Sequence, residues 1–243
     1  MRVLIGCESS GVVRDAFRAL GHDAYSCDFL PCEGDSAFHF QCDVRTLLKP
    51  GMWDLFIVHP DCTYLTNSAA WAYGDGPYHQ KVKPGTLVGA ERRAQREVAL
   101  AFVEEMLNAP VPFIALENPV GVISTRLRPA SQYIQPHEYG EDASKKTGLW
   151  LKNLPSLKLT QKIEPRMVDG KPRWANQTDS GQNRLSPGAN RWIERSRTYR
   201  GWADAMAAQW GDYITTQTMG PQHDHRTNNQ ATHRTARRRK SPR

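Results

Sequence analysis

The chain has 243 residues, enough to bury one substantial core with a small appendage, and it contains no apolar run of bilayer-spanning length. Its formal charge of +7 is lopsided: between residues 223 and 243, Arg226, Arg234, Arg237, Arg238, Arg239, Lys240 and Arg243 face only Asp224, a net +6 that leaves +1 for the body. Five cysteines form an odd set, and Met1-Arg2 runs straight into a strand-like segment with no secretory leader, so free thiols in a reducing cytoplasm are expected and no membrane association.

Val3-Leu4-Ile5 predicts a buried strand, followed by Gly6-Cys7-Glu8-Ser9-Ser10-Gly11 and a helix from Val12 to Leu20. In that helix Val12, Ala16, Leu20 and Val13, Phe17 recur at helical spacing, and Gly21 is placed to end it. Ala24-Tyr25-Ser26-Cys27 predicts a second strand ending at Asp28, and the next acidic candidate is Asp43. Strand, small-residue turn, helix, strand is the opening of a nucleotide-binding α/β fold.

After a turn at Pro50-Gly51, the apolar run Trp53-Asp54-Leu55-Phe56-Ile57-Val58 leads into His59-Pro60-Asp61-Cys62-Thr63-Tyr64. Residues 66–90 are rich in Gly, Pro, Tyr and Trp without periodicity, which predicts a functional loop, read here as a lid whose aromatic rings stack on bases. A helix is expected over Glu91–Leu107, with Ala94, Val98, Ala101 and Met106 beside Leu100, Phe102, Val103 and Leu107 as its apolar face, and Arg92, Arg93 and Arg96 as solvated charges. Pro110 and Pro112 then precede the run Phe113-Ile114-Ala115-Leu116, which ends in Glu117-Asn118-Pro119. If the two runs are neighbouring strands, the Cys62 thiol and the Glu117 carboxylate leave one sheet edge, where open α/β folds place their ligands. Further strand character appears at Lys146–Leu151, residues 160–190 are polar and basic, and a last helix is expected from Arg200 to Trp210.

Cys27, Cys32, His39 and Cys42 are spaced too widely for a paired-cysteine zinc site, so no metal is expected. The tail lacks large apolar residues that could offset the entropy of ordering and is expected to be disordered, attracting phosphates without reading sequence.

In this order the motifs resemble those of the DNA cytosine-C5 methyltransferases, over roughly residues 1–155 and 195–215. Cys62 stands at the nucleophile of that family's Pro-Pro-Cys motif, and Glu117-Asn118-Pro119 at its Glu-Asn-Val motif. Lys145 and Lys146 fall where a basic motif carries a catalytic arginine. The resemblance implies an α/β, Rossmann-like S-adenosylmethionine-dependent methyltransferase fold. Its catalytic domain would be 1–155 plus 191–216, its small polar recognition insert 156–190 and its basic tail 217–243. S-adenosylmethionine would be held by Gly6 and Gly11 at the methionine portion, Asp28 at the ribose hydroxyls, Asp43 at the adenine amine, and Pro60, and the partner would be DNA. His59, Asp61, Arg126, Arg128 and Arg173 are the remaining substrate contacts we expect, with His59 either lining the pocket or forming a buried hydrogen bond.

The departures are equally specific. Ile5-Gly6-Cys7-Glu8 replaces Phe-x-Gly-x-Gly, Asp61 replaces the second proline, and lysines replace the arginines of the basic motif. With the short recognition region they suggest a compact, divergent, phage-type member, and they keep open RNA or a free nucleotide as substrate, hydroxymethylation as reaction, and a catalytically weakened DNA-binding protein.

Cytosine C5 is a poor nucleophile. A thiolate adding at C6 turns the ring into an enamine that can attack a sulfonium methyl, which is the work assigned to Cys62. Glu117 would accept from the exocyclic amine and, when protonated, donate to N3. An ordinary thiol titrates near pH 8.5, so Cys62 needs a nearby cation, amide donors or a helix start, and Asp61 opposes its ionisation if it faces the sulfur.

Overall fold

The structure, a computed structural model, describes residues 1–79, 81–186, 188 and 191–219, so the expected tail lies outside the described residues except for its first three positions. Strands β1 (Arg2–Gly6), β2 (Asp23–Asp28), β3 (His39–Gln41), β4 (Leu55–Val58), β5 (Phe113–Pro119), β6 (Gln132–Ile134) and β7 (Thr147–Lys152) form one sheet in the order β3-β2-β1-β4-β5-β7-β6. The pairs among β1 to β5 are parallel, and β7 runs antiparallel to both β5 and β6. Parallel central strands are covered on both faces, which is why Leu55–Val58 is uninterruptedly apolar and buried.

One face carries α1 (Val12–Ala19) and α5 (Arg200–Met219), whose Phe17, Trp202, Met206 and Trp210 pack on Val3, Ile5, Ile57 and Ala115. The other carries α2 (Gly89–Leu107), with Leu100, Val103, Met106 and Leu107 on Leu4, Phe56, Val58, Ile114 and Leu116. Between them the chain adds two short helices, α3 (Ile123–Arg126) and α4 (Arg191–Ser196), and an antiparallel hairpin of β8 (Arg166–Val168) and β9 (Lys171–Arg173) within residues 156–190. The chain winds outward from β1 to β3 and then returns to β4, so the order reverses between β1 and β4. Beyond their carboxyl ends the Gly6–Gly11 turn meets the His59–Cys62 segment, the His59 N–H donating to the Gly6 carbonyl.

Four sequence expectations are corrected. In α2 the outward positions are Ala94, Val98 and Ala101, whereas Arg92 is buried on the inner face with Leu100 and Val103. Nor are the arginines solvated charges at large. Arg92 donates to the Leu87 and Thr63 carbonyls, Arg96 to that of Tyr64, and Arg93 to that of Tyr73. The presumed lid is therefore fastened at its base: the Arg96 guanidinium lies 3.3 Å from the centre of the Tyr73 ring, whose hydroxyl donates to Tyr64. That ring is committed to α2 and not to a base. Finally, the last helix continues past Trp210, because Tyr213 and Ile214 extend the apolar face that packs on the sheet.

Candidate active site

The register between β4 and β5 builds the centre. Val58 pairs with Leu116, which sets His59 beside Glu117, and the imidazole Nδ1 donates to Glu117 Oε2 at 2.8 Å. Side chains alternate along β5, so Glu117 shares the face of Ala115, the α1 and α5 side. Next in the chain, Asn118 donates from Nδ2 to the Pro60 carbonyl at 2.8 Å and clamps the segment that carries Cys62. Asp61 accepts from the backbone N–H and the hydroxyl of Thr63, and the Cys62 carbonyl accepts from the N–H groups of Leu65 and Thr66. That turn is held in turn by the segment between β5 and α3, since Val122 donates to the Leu65 carbonyl and Thr66 bridges to Gly121.

Charge then distinguishes the groups. Burial pushes the Glu117 carboxyl up, but the His59 hydrogen bond and the charges of Lys145 and His59 outweigh it and hold the group below the ordinary carboxylate range. Glu117 is therefore an anion at rest, not the acid its expected donation to N3 requires. The Cys62 thiol is half-buried and held above its ordinary value by burial, then by Asp61 and Glu117, with Lys145 opposing them. Lys145 is thus the cation acting on both, and its ammonium also lies 6.0 and 5.9 Å from the ring centres of Tyr199 and Trp202. Lys146 is exposed and sits 4.8 Å over Tyr133 of β6, so the structure separates the two lysines that the sequence grouped.

Glu8 escaped the sequence reading. It is 5% exposed and accepts from the N–H groups of Val13 at 2.8 Å and Arg14 at 3.4 Å and from the Ser10 hydroxyl, capping α1. Burial raises its proton affinity, while His59 and the capping donors lower it. Its one sequence signal is position: an acid between an apolar strand and a helix start. Arg14, fully buried, was also missed; it donates to Ser26 Oγ and Cys32 Sγ, and Ser26 meets His39 Nδ1 at 2.9 Å.

Around the β1–α1 turn, burial and then the charges of Asp28, Asp43 and Asp61 push the Cys7 thiol up to about 12 against Arg45. Asp28 accepts from the Leu30 N–H, and Asp43 from the Arg45 N–H while pairing with its guanidinium. Both are hydrogen-bond acceptors near the ends of adjacent strands, and Asp43 is already engaged by Arg45. The glycines have local reasons: a Cβ on Gly6 would meet Phe56 and Val44 at 2.9 Å, and one on Gly11, at φ +73°, would meet the Arg14 guanidinium at 2.4 Å. In the set weighed for zinc, both His39 nitrogens face protein partners, Ser26 and the Leu30 carbonyl. No metal-holding group of three such side chains occurs among the described residues.

Three expected substrate contacts lie elsewhere. Arg126 pairs with Glu97 on α2, Arg128 donates to the Leu151 carbonyl, and Arg173 donates to the Asp179 and Pro172 carbonyls within its hairpin. The first two line a depression with Glu104, Leu107 and Asn108 on the α2 side of the sheet, because α3 carries the chain back from the β5 end toward the last turn of α2. The hairpin region reaches the site in another way: Asn176 brackets Ser144, the residue before Lys145, through bonds to its N–H and carbonyl, and Trp174 stacks on His137 at 4.4 Å.

No family model matches the chain, and no curated protein matches it. Among solved structures it is similar to a proposed DNA modification methyltransferase encoded within an E. coli prophage, at 12% identity and a TM-score of 0.38, covering 70% of this chain and 53% of that one. It is also similar to a triple mutant of Spodoptera frugiperda DNMT2, at 14% identity and a TM-score of 0.35, covering 71% of this chain and 57% of that one. The chain thus spans little more than half the length of either. No helix among the described residues is long and apolar enough to cross a membrane.

Proposed function

We propose that the protein transfers a methyl group from S-adenosylmethionine to C5 of cytosine in DNA, with Cys62 adding covalently at C6. The observation that carries this reading is a thiol and a buried carboxylate on the carboxyl ends of adjacent parallel strands, both under the charge of Lys145. Cys62 would form the bond to C6, Glu117 would accept from the exocyclic amine, and Lys145 would balance negative charge as the thiolate forms. Asn118 would keep the Cys62 segment in place through Pro60. Asp28 and Asp43 would hold the hydroxyl and amine groups of S-adenosylmethionine, which when bound supplies the electrophilic methyl. Residues 1–155 with 191–216 would make up the catalytic unit. Residues 156–190 would contact DNA and brace Lys145, and a duplex target would have to be flipped out of its stack.

The test is incubation with S-adenosylmethionine and an oligonucleotide containing 5-fluorocytosine. A covalent protein–DNA adduct that disappears in Cys62→Ser supports the reading, and mass analysis of the methylated base in ordinary DNA fixes the transferred group. The elevated proton affinity of the Cys62 thiol favours one second reading, a DNA-binding protein with weakened catalysis. Binding without adduct at matched concentrations would establish that instead.

A further inference from the structure

Beside Cys62 lies a buried charge cluster that the reaction above leaves partly idle. His59 donates from Nδ1 to Glu117 at 2.8 Å and from its backbone N–H to the Gly6 carbonyl at the β1–α1 turn, where the carboxyl of Glu8 lies within reach of its charge. Among the described residues, His59 Nε2 and Glu117 Oε1 are buried without a hydrogen-bond partner. Unpaired buried polar atoms are costly, and here two of them belong to one hydrogen-bonded pair at the carboxyl ends of β4 and β5.

We propose that His59 is a positioning residue that fixes Glu117 with Oε1 toward the base and stores the proton that Glu117 passes to N3. The inference rests on the methylation reading. In the active form the pair holds one proton as imidazolium and carboxylate. As the Cys62 Sγ–C6 bond forms, the C5=C6 electron pair moves to C4–C5 and the C4=N3 pair to N3, which takes that proton through the Glu117 carboxyl and leaves neutral His59. After methylation at C5, the C5 proton passes to solvent water, the C–H pair forms C5=C6, the Sγ–C6 pair returns to the sulfur as thiolate, and N3 gives its proton back to the pair, so the cycle closes. The charged groups facing the pair are Glu8 from the β1–α1 turn, Lys145 from the segment before β7, and Cys62 on the same segment as His59.

The test is the single-turnover rate of methyl transfer and of 5-fluorocytosine adduct formation against pH, for the wild type, His59→Asn and His59→Gln. Either amide can keep an N–H donor to Glu117 but cannot titrate, and thermal melting selects the variant that folds. The wild-type rate should level off once the His59–Glu117 pair gives up its proton, because each further gain in thiolate is then cancelled by a loss of the protonated pair. The variant should be about 10²-fold slower near neutral pH and should keep rising roughly tenfold per pH unit toward the thiol range. A variant with the wild-type rate, or slower with the wild-type pH profile, overturns the inference alone. Absence of any wild-type adduct or transfer at every pH overturns the methylation reading and this inference with it.

Discussion

Glu8 and Glu117 are both nearly buried, yet their surroundings push them in opposite directions, and stability should report the difference. For Glu117 the His59 bond and the Lys145 charge outweigh burial, so its folded proton affinity is lower than in the unfolded chain, where a glutamate titrates near 4.3. The unfolded state then binds the proton more readily. The contribution of Glu117 is complete above that value and is lost as pH falls through the folded one. Glu117→Gln should flatten this acid limb when urea midpoints are compared between about pH 6 and pH 3, and it should slow methyl transfer by about 10²-fold or more. An unchanged acid limb would mean that the carboxyl is not held as an anion. Gly11 gives a residue-scale check of another kind. Its φ of +73° and the Arg14 guanidinium against it predict that Gly11→Ala costs about 1–3 kcal/mol, read as a lowered melting temperature.

Among the elements, the strands were legible where a short apolar run is bounded by turn residues: β1, β4 and β5 appear where Val3-Leu4-Ile5 and its counterparts place them, and β2 and β7 follow the expected Ala24–Cys27 and Lys146–Leu151 segments to within a residue or so. The register that joins His59 to Glu117 follows from that pairing, although only His59's alternative of a buried hydrogen bond anticipated it. The three-residue strands β3, β6, β8 and β9 are too short to carry a period. Helix α2 misled for a different reason: Arg92 and Arg96 occupy inner positions, and a hydropathy pattern turns arginine outward even where its guanidinium is consumed by the carbonyls of a neighbouring turn. Arg92→Leu should therefore leave the Thr63 and Leu87 carbonyls short of a donor. It should cost roughly 1–3 kcal/mol and open residues 66–90 to limited proteolysis. The β5–α3 junction makes a sharper demand. A Cβ on Gly121 would stand 1.9 Å from the Leu65 carbonyl oxygen, so Gly121→Ala must push away the turn that begins at Cys62. Adduct formation should fall further than the melting temperature alone would explain; equal losses would argue that the turn does not position the thiol.

For the molecule as a whole, the formal charge and the proposed catalytic groups lie in different parts of the chain. The body carries a formal +1, and several of its basic side chains are already engaged, Arg14 on Ser26 and Cys32 and Arg92 and Arg96 on backbone carbonyls within the fold, and Arg126 on Glu97 at the surface. The net +6 between residues 223 and 243 lies outside the described residues, and on the proposed function it is the part of the chain with cations to give to DNA phosphates. Capture and chemistry should then separate on salt titration. Each phosphate neutralised on duplex DNA adds about 0.9 to the negative slope of log affinity against log salt concentration. Replacing Arg237, Arg238, Arg239 and Lys240 together by serine should reduce that slope by up to about 3–4 between 50 and 200 mM salt. The single-turnover rate at saturating DNA should stay that of the wild type, because Cys62, Glu117 and Lys145 form their cluster within the body. If the quadruple variant keeps the full salt slope, the phosphate contacts belong to the body, and the exposed bases of the β8–β9 region, Arg166 and Lys171, become the groups to replace next.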